Sequence, residues 1–175
     1  MARSGDGWVF DARAGVEEVR IRRIGRNELA AITSMHAYVD AQREYAEQDR
    51  NGDGVLEYAR RFLSSPGKRD GLYWATPDGE TPSPAGPLLD TRDIKDGYYG
   101  YRFKILEAQG AAANGGKRGY LDRGKLTNGF ALVAWPARYG ETGVMSFMVN
   151  HDGVVYQKDL GAASAAKAGA MTRFD

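Results

Sequence analysis

Cysteine is absent from the chain, which excludes a disulfide scaffold, a thiol nucleophile, a cysteine-ligated zinc site and an iron–sulfur cluster. An excess of one charge is missing too. Lys and Arg number 24 against 23 Asp and Glu, a net charge of +1, so no long-range field draws in DNA, RNA or anionic lipid, and nucleic acid is not an expected partner. No apolar run approaches the roughly 20 residues a membrane span needs, so direct membrane insertion is not expected. The opening Met1-Ala2-Arg3-Ser4-Gly5-Asp6-Gly7 has no apolar signal-peptide core. An exported protein would look the same after processing, which leaves a periplasmic or secreted location open. No nucleophile elbow, phosphate loop, dinucleotide fingerprint or zinc helix motif occurs, so no catalytic or cofactor-binding residue is assigned and the enzyme reading is the weaker one.

What is there reads as one α+β domain over residues 1–175: mainly helical over 11–62, mainly antiparallel sheet over 71–161, with a tail over 162–175. Trp8, Val9 and Phe10 form an apolar patch ahead of Asp11, a cap for a helix starting near Ala12 or Ala14. Val16, Val19 and Ile24 share a side of that helix, with Arg20, Arg22, Arg23 and Arg26 solvated, and Gly25 marks a break or kink. From Asn27 to Gln48, Leu29, Ile32, Met35 or His36, Val39 and Tyr45 recur at helical spacing. A short helix is expected over Val55–Phe62, a brief strand over Gly71–Ala75 and a proline-rich loop over Thr76–Pro87.

The second half switches to period two, with Tyr99, Tyr101, Phe103 and Ile105 alternating against Gly100, Arg102 and Lys104. Further strands follow at Gly129–Trp135, Val144–Asn150 and Val154–Lys158. The last two close as a hairpin through Asn150-His151-Asp152-Gly153, with Gly153 at positive φ. The expected architecture is a long N-terminal helix, kinked near Gly25, on a four- to five-stranded antiparallel sheet. The alanine-rich tail, Ala162–Ala170, reads as a weak helix or a frayed end.

Three features invite chemistry. Asp49, Asn51, Asp53, the Val55 carbonyl and Glu57 match the first nine positions of an EF-hand-type loop and would suit calcium, but Arg60 stands where the bidentate glutamate belongs. A solvated helix-ending turn competes with that reading. His36 and His151 are the only imidazoles, hence the candidate bases of a hydrolase or lyase, with Asp152, Asp40 or Glu44 as partner. Against this, His36 lies near an apolar stripe, and a turn-tip His151 would ordinarily be exposed and inert. Ten tyrosines and three tryptophans suit sugar or peptide binding and equally suit cross-strand packing.

The runs Ile24-Gly25-Arg26-Asn27-Glu28-Leu29, Phe62-Leu63-Ser64-Ser65-Pro66-Gly67-Lys68-Arg69-Asp70-Gly71-Leu72-Tyr73-Trp74, Ala134-Trp135-Pro136-Ala137-Arg138-Tyr139-Gly140 and Phe147-Met148-Val149-Asn150-His151-Asp152-Gly153-Val154-Val155-Tyr156 resemble bacterial domain-of-unknown-function family 2950, across nearly the whole chain. The resemblance implies an exported cell-envelope protein of which this is the C-terminal portion, and carries over no catalytic residue. By architecture alone, a long helix followed by an antiparallel sheet is also similar to the head of a type IV pilin or pseudopilin. The expected role is a non-enzymatic binding or scaffolding domain for an envelope component, calcium-stabilised through its Asp49–Glu57 loop. The alternatives are the histidine-dependent enzyme and a self-assembling subunit that forms homo-oligomers.

Overall fold

The computed structural model describes residues 2–4, 7–9, 11–77, 80–86 and 97–175. Phe10 and part of the expected Thr76–Pro87 loop lie outside them. A small antiparallel pair, β1 (Ala2–Ser4) and β2 (Gly7–Val9), leads to helix α1, Ala12–Ala46. Its N-terminus forms as the sequence implies: the Asp11 carboxylate accepts a hydrogen bond from the Ala14 amide at 2.9 Å.

Where a break was expected at Gly25, α1 runs through it as one helix of 35 residues, about 52 Å long at 1.5 Å per residue. Glycine lowers helix propensity by only about 1 kcal/mol, and contacts on either side outweigh this. Arg20 donates to the Gly140 carbonyl. The Asn27 side-chain amide donates to the Thr142 carbonyl at 2.8 Å, and the Glu28 carboxylate accepts the Val144 and Met145 amides at 2.9 and 3.0 Å. These tethers explain the polar Arg26-Asn27-Glu28 run. Apolar burial begins only at Ala31 and continues through Met35, Tyr38, Val39 and Tyr45, whereas Val16, Val19 and Leu29 stay exposed.

The central sheet has four antiparallel strands in the order β10–β9–β8–β3: β3 (Tyr101–Leu106), β8 (Ala131–Pro136), β9 (Met145–Asn150) and β10 (Tyr156–Asp159). Between β3 and β8 lie four two-residue strands, β4 (Ala108–Gln109), β5 (Arg118–Gly119), β6 (Leu121–Asp122) and β7 (Lys125–Leu126), paired β4 with β5 and β6 with β7. The sheet is covered on both faces, and the strand period sorts the side chains. Leu132, Ala134, Phe147 and Val149 meet α1. Ala131 and Val133 face the other way, into a second cluster with Leu106, Tyr120, Leu126, Ala168 and Phe174. The alanine-rich tail supplies that second cover as helix α2, Ser164–Ala170.

Several local expectations are corrected. Val55–Phe62 is not helical, because its backbone groups are used elsewhere. The Tyr58 amide donates to the Leu126 carbonyl at 2.8 Å, and buried Gln42 takes both the amide and the carbonyl of Ala59, each at 2.8 Å. Gly71–Ala75 reduces to a single bridge between Leu63 and Tyr73. Tyr99 precedes β3, exposed in a turn at φ 49°. Gly153 takes positive φ, 82°, although β9 and β10 leave five residues between them.

Candidate functional site

On the sheet face away from α1, β9 presents Ser146, Met148 and Asn150. Directly opposite on β10 are Lys158, paired with Ser146, and Tyr156, paired with Met148. The C-terminal segment is tied down over this face. Lys104 donates to the Gly169 and Met171 carbonyls at 2.7 Å, Phe174 exchanges backbone hydrogen bonds with Ala108 and Gly110, and its ring meets Tyr156 edge-on at 5.8 Å. What remains between them is a cleft of about 390 Å³, within the size range of small-molecule sites. Its apolar lining includes Val133, Met148, Leu160, Met171 and Phe174, and its polar groups include Ser146, Asn150, Asp152, Lys158 and Asp175.

Two of those polar groups carry information. Ser146 is 5% exposed, and its Oγ is buried with no hydrogen-bond partner, a costly arrangement unless something else supplies one. The Lys158 side chain makes no hydrogen bond or ion pair among the described residues. The other end is organised: the Asn150 side chain donates to the Asp152 carboxylate at 3.2 Å and accepts the Asp152 amide at 3.1 Å.

Beside that end sits His151, half-buried rather than exposed at a turn tip. The hairpin loop folds its ring onto Tyr120 and Phe130, with centroids 5.7 and 6.2 Å away. Burial lowers its pKa below the ordinary histidine value; Asp152 opposes this, Arg118 reinforces it. Nε2 lies 2.7 Å from Arg118 Nη2. A guanidinium only donates, so Nε2 accepts and the proton of the neutral ring belongs on Nδ1. Nδ1 is buried without a partner. Asp152 Oδ1 is 3.8 Å from Nε2, beyond direct hydrogen-bond reach. The pair is therefore close, but the nitrogen a base would use is already engaged by Arg118. His36 is exposed on α1, not partly buried, because the core-facing stripe runs through Met35 and Val39. Asp40 on the same helix pairs with Arg43 at 3.9 Å.

The Asp49–Glu57 loop folds around its own groups. Asp49 accepts the amides of Gly52, Asp53 and Gly54, and these bonds, that from Gly54 foremost, hold its carboxyl below the usual range. Asp53 accepts the Val55 amide and meets the Lys125 ammonium at 2.6 Å, which depresses its carboxyl likewise. The Asn51 amide donates to Glu57 at 2.6 Å, while burial and the nearby Asp53 raise the Glu57 carboxyl. Arg60, at the twelfth position, pairs with Glu107 at 2.7 Å. Among the described residues no group of three or more His, Cys, Asp or Glu side chains is arranged to hold a metal ion, and no helix is long and apolar enough to cross a membrane.

A family profile described as "Protein of unknown function (DUF2950)" matches residues 1–175. The chain belongs to the DUF2950 family. No curated protein and no solved structure matches it. The cleft of this DUF2950 chain was legible in its sequence only as Met145-Ser146-Phe147-Met148-Val149-Asn150, where Ser146 and Asn150 share a strand face with Met148. The strand Val144–Asn150 was expected without any role for that face, and the role of Lys158 and Arg118 left no signal.

Proposed function

We propose that this chain is a non-enzymatic ligand-binding domain of the bacterial cell envelope, acting through the cleft between β9, β10 and the C-terminal segment. The observation that carries the reading is the buried, unpartnered Ser146 hydroxyl inside a largely apolar cleft, a polar group whose missing partner a ligand would supply. The envelope location rests on the family resemblance, and the long helix laid on an antiparallel sheet supports a pilin-head-like placement by analogy. The engagement of His151 Nε2 by Arg118 weighs against the hydrolase or lyase alternative. A second reading, self-assembly, draws on the exposed edge of β10, although so short a strand carrying Lys158 resembles a protected edge.

In this proposal the Asp49–Glu57 loop is a self-satisfied turn, with the Lys125 ammonium in the role a calcium ion would otherwise fill. The binding reading is tested with anilinonaphthalene sulfonate, an anionic dye whose aromatic body fluoresces in apolar surroundings. Saturable fluorescence with wild-type protein, abolished in Met148→Trp and Leu160→Trp variants that fill the cleft, is the expected result. Equal dye binding by wild type and both variants would remove the cleft from consideration.

A further inference from the structure

The cleft has poles. Ser146 and Asn150 are four residues apart on one strand, about 13 Å at 3.3 Å per residue. Lys158 stands opposite Ser146 at one end, and the Asp152 carboxylate is bonded to Asn150 at the other. Met148 lies between Ser146 and Asn150 on β9, and Phe174, Leu160 and Met171 add to a lining that is largely apolar. Asp175 is already engaged, accepting the Ala112 amide at 3.0 Å and lying 3.8 Å from Arg173 Nε. Among the described residues the Asp152 carboxylate has only its Asn150 hydrogen bond and the distant His151 contact, and the Lys158 ammonium has no partner.

A ligand that answers all of these features needs an anionic group and a hydrogen-bond acceptor at one end, a cationic donor at the other, and an apolar body in between. We propose that the cleft binds a short peptide with free ends and an apolar side chain, its carboxylate at Lys158 and Ser146 and its ammonium at Asp152. An extended tripeptide spans roughly 10 Å, which leaves room for a hydrogen bond at each pole. Its central side chain lies over Met148. A neutral apolar molecule would leave both poles and the Ser146 hydroxyl unanswered, and a compact single charge would reach only one of them.

This inference rests on the cleft being a binding site, so the experiment separates the two. Ala-Leu-Ala is titrated calorimetrically into the purified chain, alongside its N-acetyl, C-amide and doubly blocked forms. Free tripeptide is expected to bind, with each block weakening binding by roughly ten- to a hundredfold, the scale of one charge-assisted hydrogen bond. Acetylation should cost nothing further in Asp152→Asn, and amidation nothing further in Lys158→Met. Those two substitutions alter exposed side chains and leave the buried clusters intact. Equal affinity for free and doubly blocked peptide overturns the proposal. So does absence of peptide binding where the dye still binds wild type and fails on Met148→Trp, which would leave the cleft a site for another ligand. Failure of dye and peptide together sinks both readings.

Discussion

Arg118 holds His151 in a defined protonation state: Nη2 lies 2.7 Å from Nε2, and a protonated ring would turn that hydrogen bond into a donor–donor clash. A pH dependence follows. The folded-state pKa of His151 is lowered by burial, so the unfolded chain binds the proton more readily. The neutral ring costs nothing above the unfolded value of about 6.5, and stability falls as pH drops through that value toward the lower folded pKa. Urea midpoints measured from about pH 8 to about pH 5 should decline. In His151→Phe the part of the decline centred just below neutrality should vanish, and its persistence would remove His151 as the cause.

Gly129 provides the space for that ring. Its φ is 130°, and a Cβ built there would stand 2.9 Å from both His151 Nδ1 and a Tyr120 ring carbon. Gly129→Ala should therefore destabilise by about 2 kcal/mol or more, combining backbone strain with a close contact to buried rings. Chemical denaturation will check it. Gly124, also at positive φ but with nothing within 4 Å of its Cβ position, is the control that carries strain alone.

Gln42 takes the place of a backbone partner for Ala59, in the segment between the Tyr58 bridge to Leu126 and the Phe62 carbonyl bonded by Tyr73. It is fully buried, bonds Ala59 through both amide atoms and donates to the Tyr38 hydroxyl at 2.9 Å. Gln42→Ala leaves an amide and a carbonyl buried without partners and opens a void, so a loss of about 3 kcal/mol or more is expected. A loss near zero would mean that water reaches Ala59 in the folded protein.

The acidic loop gives a prediction with two branches. With Lys125 against Asp53, wild-type thermal midpoints should agree in calcium and in chelator, while Lys125→Met should gain a calcium-dependent rise, since selective binding to the native state must stabilise it. A rise already present in wild type and lost in Asp53→Ala would restore the loop as a calcium site.

Much of the fold was readable because its signals are local. Asp11 caps α1, period-two alternation marks β3, and Gly153 takes the turn conformation that other residues resist. What escaped depends on distant partners. Gly25 was read as a break because nothing nearby in sequence reveals that Asn27 and Glu28 tie the helix to residues 142–145. Val55–Phe62 looked helical until its backbone partners, Gln42 and Leu126, came from elsewhere. The candidate site was the least legible part. Ser146 and Lys158 meet only through strand pairing, and the residues that close the cleft over them, Met171, Phe174 and Asp175, lie beyond an alanine-rich tail that carries little signal of its own.

The opening turns of α1 have no such attachments among the described residues. Residues 12–19 are all exposed, and the first long-range tether appears at Arg20. Their hydrogen bonds can therefore open without disturbing either buried cluster. Amide hydrogen exchange along this one helix should form a staircase, fast before Arg20, slower through the polar ties at Asn27 and Glu28, and slowest from Met35 to Tyr45. The leading end is thus a spar held by its own helical hydrogen bonds, while the trailing end is held by the domain.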